Sequence, residues 1–537
     1  MSNGTYVNIN SPLITTVKEI CAARRVRAWL VGGAVRDVLL GRDVHDWDIA
    51  VERNAIPLAR ATADRLRADV YVLDAERDVA RVLVDDATID FARLRDVDLD
   101  RDLAGRDFTI NAMAIDLDQP GRVIDRFDGQ SDLDEGIIRA MGEAALTSDP
   151  VRMLRAVRQA ASLAMAIDPQ TAEWIQRHAA LIAGAPAERA RDELNRTLHE
   201  RDAADNLLLL DAFGLLSHLL PELIALKGVT QSLPHHWDVY EHTRRVVDAL
   251  ELLGTRWLGF DQADESALML PVIPDFVWDS IYLNLAPYSD PLRAHLKASL
   301  KPLPARAPAD DFDRAAAVEQ RTVSPSAGVG SRWLLLKWTA LLHDIGKPST
   351  KAVENDGRTR FFGHEDLGAR LAGERLRALR FSSDEIDRVT GIIGGHMRPH
   401  WLAESPLTRR AMYRFFRDTQ DYGVDILLLS MADHLATHGP DVDRQRWAER
   451  LGLIGQMFET YFSRHGEVVA PPPLINGHDI MQELDLPPGK QIGVVLEAIR
   501  EAQASGEVTT REDALTVARR VLDGSLTSEE SHREASH

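Results

Sequence analysis

The sequence predicts an α+β protein, a small head with a mixed sheet followed by a long, mostly helical remainder. Three observations predict it. Short runs rich in β-branched residues, bounded by turn residues, crowd the N-terminal part of the chain. From Ser148 onward apolar residues recur at three- and four-residue spacing, the period of a helix with one buried face. The 537 residues exceed what one hydrophobic core organises, so several units are expected.

Residues 1–20 read as a polar arm and a first helix. Residues 26–50 read as strand "VRAWLVG", a glycine turn, helix "AVRDVLL", a turn at Gly41 and strand "DWDIAV". "ADVYVLD", "ARVLV", "ATIDFARL" and "FTINAMAIDL" are further β-rich runs. The pattern turns helical at "SDPVRMLRAVRQAASLA" and stays so to about residue 520. A stretch over 295–331, rich in Pro, Ala, Ser and charge, reads as a surface insertion or a partly disordered segment. "VVAPPPLINGHD" (468–479) reads as a linker into a last helical unit, and "SLTSEESHREASH" as a disordered tail. The expected domains are a head over 1–140, a helical neck over 141–230, a helical domain over 231–445 that contains the insertion, C-terminal helices over 446–520 and a tail over 521–537.

Composition fits a soluble globular protein, 45% hydrophobic and 27% charged. No apolar run approaches the roughly 20 residues of a membrane helix, so no membrane partner is expected. The first residues lack the basic-then-apolar pattern of a signal peptide. Cys21 is the only cysteine, which excludes an internal disulfide and fits the cytoplasm. The net charge of −20 argues against a broad nucleic-acid-coating surface. A local basic groove stays compatible with it, because phosphate responds to nearby charge.

"GGAVRDVLLGRDVHDWDIAVE" (32–52) carries the chemistry of the head. Side chains alternate along a strand, so Asp46 and Asp48 share one face while Trp47, Ile49 and Val51 enter the core. Two such carboxylates repel unless a cation sits between them. Mg²⁺ suits the site, since it takes oxygen ligands and shares its shell with substrate phosphates. Gly32 and Gly33, between strand and helix, let backbone N–H groups approach a triphosphate. Arg36, one turn into that helix, can reach a phosphate oxygen. A D-x-D pair alone is weak; the strand, Gly-Gly and helix beside it make it specific. Asp90 in "TIDFARL" is a candidate third carboxylate, with a solvated strand residue as the alternative.

This stretch resembles the signature of the class II tRNA nucleotidyltransferase and bacterial poly(A) polymerase family, a branch of the polymerase-beta-type nucleotidyltransferases. "DLAGRDFTINAMAIDL" (102–117) resembles the family's next motif, "SDPVRMLRAVR" (148–158) its base-reading motif and "ERARDEL" (188–194) the helical motif that follows. The resemblance implies that Asp46 and Asp48 hold the catalytic Mg²⁺ ions. It implies nucleotide binding by Gly32, Gly33, Arg36, Asp102, Arg106, Asp107, Asn111, Arg155 and Arg158. Asp149 and Arg152 would read the base, an acceptor and a forked donor three residues apart. Asp149 is equally suited to cap the helix that follows Pro150. The implied partners are the tRNA 3′ end, CTP and ATP.

Three departures from that family stand out. Ser148 replaces a usual Glu, and Gly105 replaces a usual Arg before Arg106-Asp107. Between "ARLR" and "DLAGRD" lies only "DVDLDR", where CCA-adding relatives carry a longer mobile loop. The short connection resembles the CC-adding subgroup.

"LLHDIGKP" (341–348), with "HHWDVYEHTRRVVDAL" upstream and "FFGHEDLGAR", "GIIGGHMRP" and "SMADHLATH" downstream, resembles the HD phosphohydrolase superfamily, a helical bundle with metal ligands on facing helices. The implied ligands are His242, His343, Asp344, His364, His396 and Asp433, with Lys347 holding a phosphate. Imidazole and carboxylate together suit Mn, Ni, Fe or Zn. The expected function is addition of CMP, and of AMP where the full CCA is built, to the tRNA 3′ end, with a metal-dependent phosphohydrolase as second activity. A CC-only enzyme, a poly(A) polymerase, and an HD phosphohydrolase whose head only binds nucleotide or RNA are the alternatives. Oligomeric state is not legible.

Overall fold

The computed structural model describes residues 9, 11–85, 87–95, 98–119, 121–260, 273–298 and 331–524. The chain divides into two compact units, one built mainly from residues up to Pro221 and the other mainly from Glu222 onward.

The first unit opens with helix α1 (Pro12–Ala23), which buries Ile14, Val17 and Cys21. Burial pushes the Cys21 thiol up to about 11, so it is an inert packing group. Strand β1 (Ala28–Val31) is buried at all four positions. A turn at Gly32 leads into α2 (Gly33–Leu39), and β2 (Asp46–Val51) follows. Helix α3 (Ala55–Leu66), strands β3 (Asp69–Asp74), β4 (Val79–Val84) and β5 (Ala87–Arg93), α4 (Leu99–Ala104), β6 (Met113–Asp116) and β7 (Val123–Asp125) complete the head. The strands form one sheet in the order β3-β4-β5-β2-β1-β6-β7. Among the described residues of this sheet only β2 and β5 pair in parallel, and α3 with the β3–β4 hairpin supplies the crossover a parallel pair needs. The mixed sheet and the α+β class are as expected.

The run "FTINAMAIDL" is only partly a strand. Thr109–Asn111 form a single 3-10 turn before β6 begins. Asn111 explains it, because its side-chain amide donates to Asp107 Oδ1 at 3.0 Å and to Gln159 Oε1 at 3.1 Å. That demand outweighs the β propensity of the neighbouring residues. Beyond the sheet come α5 (Gly129–Glu135), α6 (Glu143–Ser148), α7 (Val151–Leu163), α8 (Pro169–His178), α9 (Ala187–His199) and α10 (Ala203–Ala212). Helices α7, α9 and α10 pack on one another around Leu154, Val157, Leu194, Leu198 and Leu207.

The second unit is helical, apart from a two-strand ladder of Ala352–Val353 with Thr359–Arg360. Its frame is the helices Val239–Leu252, Arg332–Leu342, His364–Ala378, Ser383–Gly395, Gly423–His438 and Arg444–Phe462. Gly423–His438 runs through the interior, with nearly every side chain buried. The last helices, Gly477–Glu483, Lys490–Ser505 and Arg511–Leu522, close on a small core of Ile475, Ile480, Val495, Ile499 and Val508. Of the expected insertion, the first residues end the helix Ser289–Lys297; residues 299–330, like the tail from 525, lie outside the described residues. Among the described residues no helix is long and apolar enough to cross a membrane.

Gly346, in the turn after the His-Asp dipeptide, packs against the start of the helix His364–Ala378. An added Cβ would overlap the carbonyl oxygen of His364 and lie 2.8 Å from the backbone nitrogen of Gly368. Backbone cannot yield as a side-chain tip can. Gly346→Ala is therefore expected to destabilise this unit by about 2–4 kcal/mol. A urea unfolding curve checks it; a midpoint equal to that of the parent would contradict this packing.

Candidate active site and metal centre

The head's site forms where β2, β5 and the Gly32 turn meet. Asp46 and Asp48 lie on one face of β2, as expected, and Trp47, Ile49 and Val51 are buried on the other. Thr88 Oγ1 donates to Asp46 Oδ1 at 2.7 Å and fixes its rotamer. Asp90 on β5 is the register partner of Asp48, so the third carboxylate shares the face. Gly32 has φ +74°, a conformation glycine adopts without strain. A Cβ there would sit 2.6 Å from Arg106 Nη1 and 3.0 Å from Asp48 Oδ2. The bare glycine thus leaves a cradle beside the carboxylate that a side chain would fill. Burial pushes the Asp48 carboxyl up to about 6, with Arg106 opposing and Asp90 adding to the rise. Oxygen donors of one sign, an open cradle and an anion strained by burial fit a hard divalent cation.

Behind the site a polar chain ties α2 to α7. Arg36 donates to Asn111 Oδ1 at 2.9 Å and grips both oxygens of Asp37 at 2.9 Å. Asp107, which also caps the Phe108 N–H, pairs with Arg155 at 3.0 Å. Burial would raise the Asp107 carboxyl, yet Arg155 and the Asn111 amide together hold it below its usual range. Arg158 pairs with Glu193 at 2.5 Å. Asp102 accepts from the Arg95 N–H at 3.1 Å and from Arg106 at 3.4 Å. Arg36, Arg155 and Arg158, expected to meet the nucleotide, are in this state engaged by carboxylates of the protein. A sequence lists the arginines but not the acids that hold them.

Asp149 does not cap the helix after Pro150. The N-cap position of α7 is Pro150 itself, without a side-chain cap. The Asp149 carboxylate turns instead to Arg189, 2.8 Å away on α9, with Arg152 Nε at 3.6 Å. Arg152 donates to the carbonyls of Arg106 at 3.1 Å and Gly105 at 3.0 Å. Arg189, inside the quoted "ERARDEL" motif, is a site residue that spacing alone did not single out.

In the second unit all six expected residues gather. His242 lies on the first turn of Val239–Leu252, and His343-Asp344 follow the end of Arg332–Leu342. His364 opens its helix, His396 closes Ser383–Gly395, and Asp433 sits within Gly423–His438. Most of the set thus stands at helix ends rather than on facing helix sides. Two buried triads form, His242-His343-Asp344 and Asp344-His364-His396, each with its donor atoms within 4.8 Å. Asp344 belongs to both. His242 Nε2 lies 3.1 Å from Asp433 Oδ1 and 3.6 Å from Asp344 Oδ2, and His364 Nε2 lies 3.2 Å from His396 Nε2. Neither ring nitrogen of His242 nor Asp344 Oδ2 makes an aligned hydrogen bond among the described residues.

The imidazoles are oriented from behind. Nδ1 of His343, His364 and His396 lies 2.9, 2.8 and 2.6 Å from the carbonyls of Ala340, Phe361 and Ile393. A carbonyl only accepts, so each Nδ1 carries a proton, and Nε2 of His364 and His396 is left facing the gap. His343 Nε2 instead lies 3.2 Å from Asp344 Oδ2, and although burial opposes it, the Asp344 carboxylate holds the His343 imidazole above its usual range. Burial, helped by the neighbouring His343, pushes His396 down to about 3, so it is neutral. Burial would raise the Asp344 carboxyl, but His343 and Lys347 hold it well below its usual range. Lone pairs aimed at one another across a buried gap, around a shared carboxylate, fit a pair of divalent metals. Lys347 is less open to phosphate than expected, since its Nζ contacts Asp344 and Gln231, both at 2.8 Å. Gln231 was not legible as part of the site.

A mixed sheet with carboxylates beside a glycine turn, joined to a helical unit with two histidine-rich triads, defines a nucleotidyltransferase with an HD domain. Comparison with known proteins agrees. Residues 28–139 match the family described as the poly A polymerase head domain, residues 164–226 the probable RNA- and SrmB-binding site of polymerase A, and residues 326–437 the HD domain. The A-adding tRNA nucleotidyltransferase of Deinococcus radiodurans is 34% identical over 493 residues, 91% of this chain and 94% of that protein. The CC-adding tRNA nucleotidyltransferase of Thermus thermophilus is 33% identical over 497 residues, covering 91% and 92%. A solved CCA-adding enzyme in complex with ATP shares the fold at TM-score 0.57 and 18% identity, covering 95% of this chain and 93% of that one. The chain belongs to the tRNA nucleotidyltransferase and poly(A) polymerase family.

Proposed function

We propose that this enzyme transfers CMP from CTP to the 3′ hydroxyl of tRNA, releases pyrophosphate, and adds the terminal A poorly. The compartment this substrate and the single cysteine support is the cytoplasm. Asp46 and Asp48 would hold Mg²⁺ in the head. When bound, that metal lowers the barrier by activating the attacking hydroxyl and steadying the departing pyrophosphate. The protein's own part is positioning. The Gly32 N–H is engaged by the Met113 carbonyl at 3.4 Å. Of the two glycines it is therefore the Gly33 N–H, past a Gly32 with no Cβ in the way, that would face the triphosphate, and Arg106 beside Asp48 adds positive charge. Arg36, Arg155 and Arg158 meet the nucleotide only by exchanging a carboxylate partner for a phosphate. Asp149 accepts from the exocyclic amine of the base and Arg152 donates to its ring. We assign the head to 1–140, the neck to 141–230, the HD domain to 231–445 and C-terminal helices to 446–520, with neck and C-terminal helices holding the RNA by phosphate and shape.

The preference for C rests on the link between β5 and α4. That link is short and tied at both ends: the Arg95 N–H is held by Asp102 at 3.1 Å, and Asp98 caps α4 by accepting from the Arg101 N–H at 2.9 Å. A purine needs a larger pocket with a different edge pattern, and little chain is available here to reshape it. The relatives include A-adding, CC-adding and CCA-adding enzymes, so it is the short link that supports the C-adding reading. Incubation of a tRNA lacking its CCA end with labelled CTP, and separately with labelled ATP, tests it. Label from CTP only is expected; equal label from both on that substrate would contradict it.

A second reading concerns the HD domain, and the observation that favours it is the carboxylate shared by two triads. We infer that His242, His343, Asp344, His364, His396 and Asp433 hold two transition-metal ions, of the Mn, Ni, Fe or Zn group, for hydrolysis of a phosphoester. An intact ligand set also weighs against a poly(A) polymerase that keeps only the shape of the domain.

A further inference from the structure

Lys347, the cation expected to hold a phosphate beside the two triads, is itself held by Asp344 and Gln231. A substrate phosphate in the second unit therefore needs another cation, and one stands on a neighbouring helix. Arg450, on Arg444–Phe462, reaches across to Gly423–His438, where its Nη1 donates to Ser430 Oγ at 2.6 Å, with the Ser430 carbonyl at 3.5 Å. The other arginines around it are paired: Arg388 with Asp425, Arg398 with Asp418 and Arg414 with Glu501. Arg450 has no carboxylate partner among the described residues, and its Nε and Nη2 donate to none of them. Those two atoms form the edge with which a guanidinium grips two oxygens of one phosphate. The side chain is half-buried, and an idle cation in such a place is unfavourable unless an anion meets it.

Helix geometry says what lies along that edge. Ser430, Asp433 and His434 stand at i, i+3 and i+4, so they share one face of Gly423–His438. Arg450 is thus anchored on the stripe that carries a candidate metal ligand, and Asp433 is the carboxylate whose charge acts on it. His434 supplies a second donor. It is only 8% exposed, and its Nε2 has no hydrogen-bond partner. Its ring lies against Trp447 and His438, with centroids 5.6 and 4.2 Å away. Trp447 comes one turn before Arg450 on the same helix, so imidazole and guanidinium are brought to one place. Arg450 is accordingly the strongest charge acting on His434. A neutral imidazole can carry its proton on Nε2 and donate it, adding a hydrogen bond without a second positive charge.

We propose that Arg450 and His434 form a phosphate subsite beside the HD metal centre, where the phosphate group of this domain's substrate is gripped. The proposal deepens the phosphohydrolase reading and rests on it for the identity of the ligand as substrate, though not for phosphate binding itself.

Equilibrium dialysis of the metal-loaded full chain against 32P-labelled inorganic phosphate reads the binding, and hydrolysis of p-nitrophenyl phosphate reads the kinetics. Arg450→Met should bind about one equivalent of phosphate fewer than the parent. Its KM for p-nitrophenyl phosphate and its Ki for inorganic phosphate should both rise about tenfold or more, with a smaller change in kcat. Arg450→Lys should fall between, because a point charge replaces the fork. His434→Phe keeps a ring against Trp447 and loses the donor. It should raise both constants about threefold, and it carries the test if Arg450→Met does not fold. Metal content separates a subsite from a role in holding Asp433, and both variants should keep the parent's metal. Unchanged phosphate binding in folded Arg450→Met, or a loss of metal that accompanies the loss of phosphate, overturns the proposal. A parent that binds phosphate through Arg450 but hydrolyses no phosphoester supports the subsite and fails the hydrolytic reading. A parent that hydrolyses p-nitrophenyl phosphate with the same KM and Ki as Arg450→Met fails the subsite alone.

Discussion

Asp46→Ala and Asp48→Ala are each expected to reduce CMP incorporation by about a thousandfold or more while the fold persists. The size follows from the role. Each carboxylate would hold the cation that steadies charge on the attacking and leaving oxygens, and losing such a ligand costs several kcal/mol of transition-state stabilisation, at about 1.4 kcal/mol per factor of ten. The fold should persist because neither side chain supports the core, which lies on the opposite face with Trp47, Ile49 and Val51. A thermal melt separates the two effects. The same carboxylate gives a pH dependence of stability. The Asp48 carboxyl is raised to about 6 in the folded state, above its unfolded value of 3.8. The folded protein therefore holds this proton more tightly than the unfolded chain does. That contribution is fully present below the unfolded pKa and is lost as pH rises through about 6. Buried His235, His396 and His434, pushed down to about 4, 3 and 3, gain stability as pH rises through the same window. The Asp48 contribution is therefore read as the difference in melting temperature between parent and Asp48→Ala without divalent cations. That difference should move against the parent from pH 4 to 7, and Mg²⁺ at pH 7.5 should raise the parent. A difference that is flat from pH 4 to 7, or an equal rise on Mg²⁺ in Asp48→Ala, would contradict the site.

Asp344→Ala should strip the second unit of metal and abolish any metal-dependent phosphoesterase activity, yet leave nucleotide addition intact. One residue has this leverage because Asp344 belongs to both triads. Its loss removes a ligand from two sites and leaves four imidazoles with Asp433 as the remaining carboxylate around a buried gap. Metal analysis after dialysis should show near-stoichiometric Mn, Ni, Fe or Zn in the parent and little in the variant. Hydrolysis of bis-(p-nitrophenyl) phosphate should fall by more than a hundredfold. Lost incorporation of CMP in a well-folded Asp344→Ala protein would show that the two chemistries share a site after all.

What the sequence made legible, and what it did not, divides along one physical line. The face shared by Asp46 and Asp48 follows from the two-residue period of a strand, and the strand itself from "DWDIAV". The helical second half follows from apolar spacing. The six HD positions came from the ordering of several motifs rather than from spacing, and they do gather. Partners across the sheet or between helices stayed hidden. Arg81 meets Asp90 only because β4 and β5 pair in a particular register. Arg189 meets Asp149 across 40 residues, and Lys347 meets Gln231 across 116. Such pairs are set by tertiary geometry, which no local pattern encodes. The same cause produced the misreadings. Of the two roles open to Asp149 the cap is set aside, because Arg189 holds its carboxylate, and "FTINAMAIDL" is broken as a strand where Asn111 meets Asp107 and Gln159.

The most direct measurement is the sequence of tRNA 3′ ends. A transcript ending at the discriminator base is incubated with the enzyme, Mg²⁺, CTP and ATP together, and the ends are sequenced. The structure-based account predicts ends extended by two C residues, with few carrying a terminal A, because the tied link between β5 and α4 leaves no lever to reshape the pocket for a purine. Predominant CCA ends would contradict that specificity, and ends left unextended would contradict the transfer reaction itself.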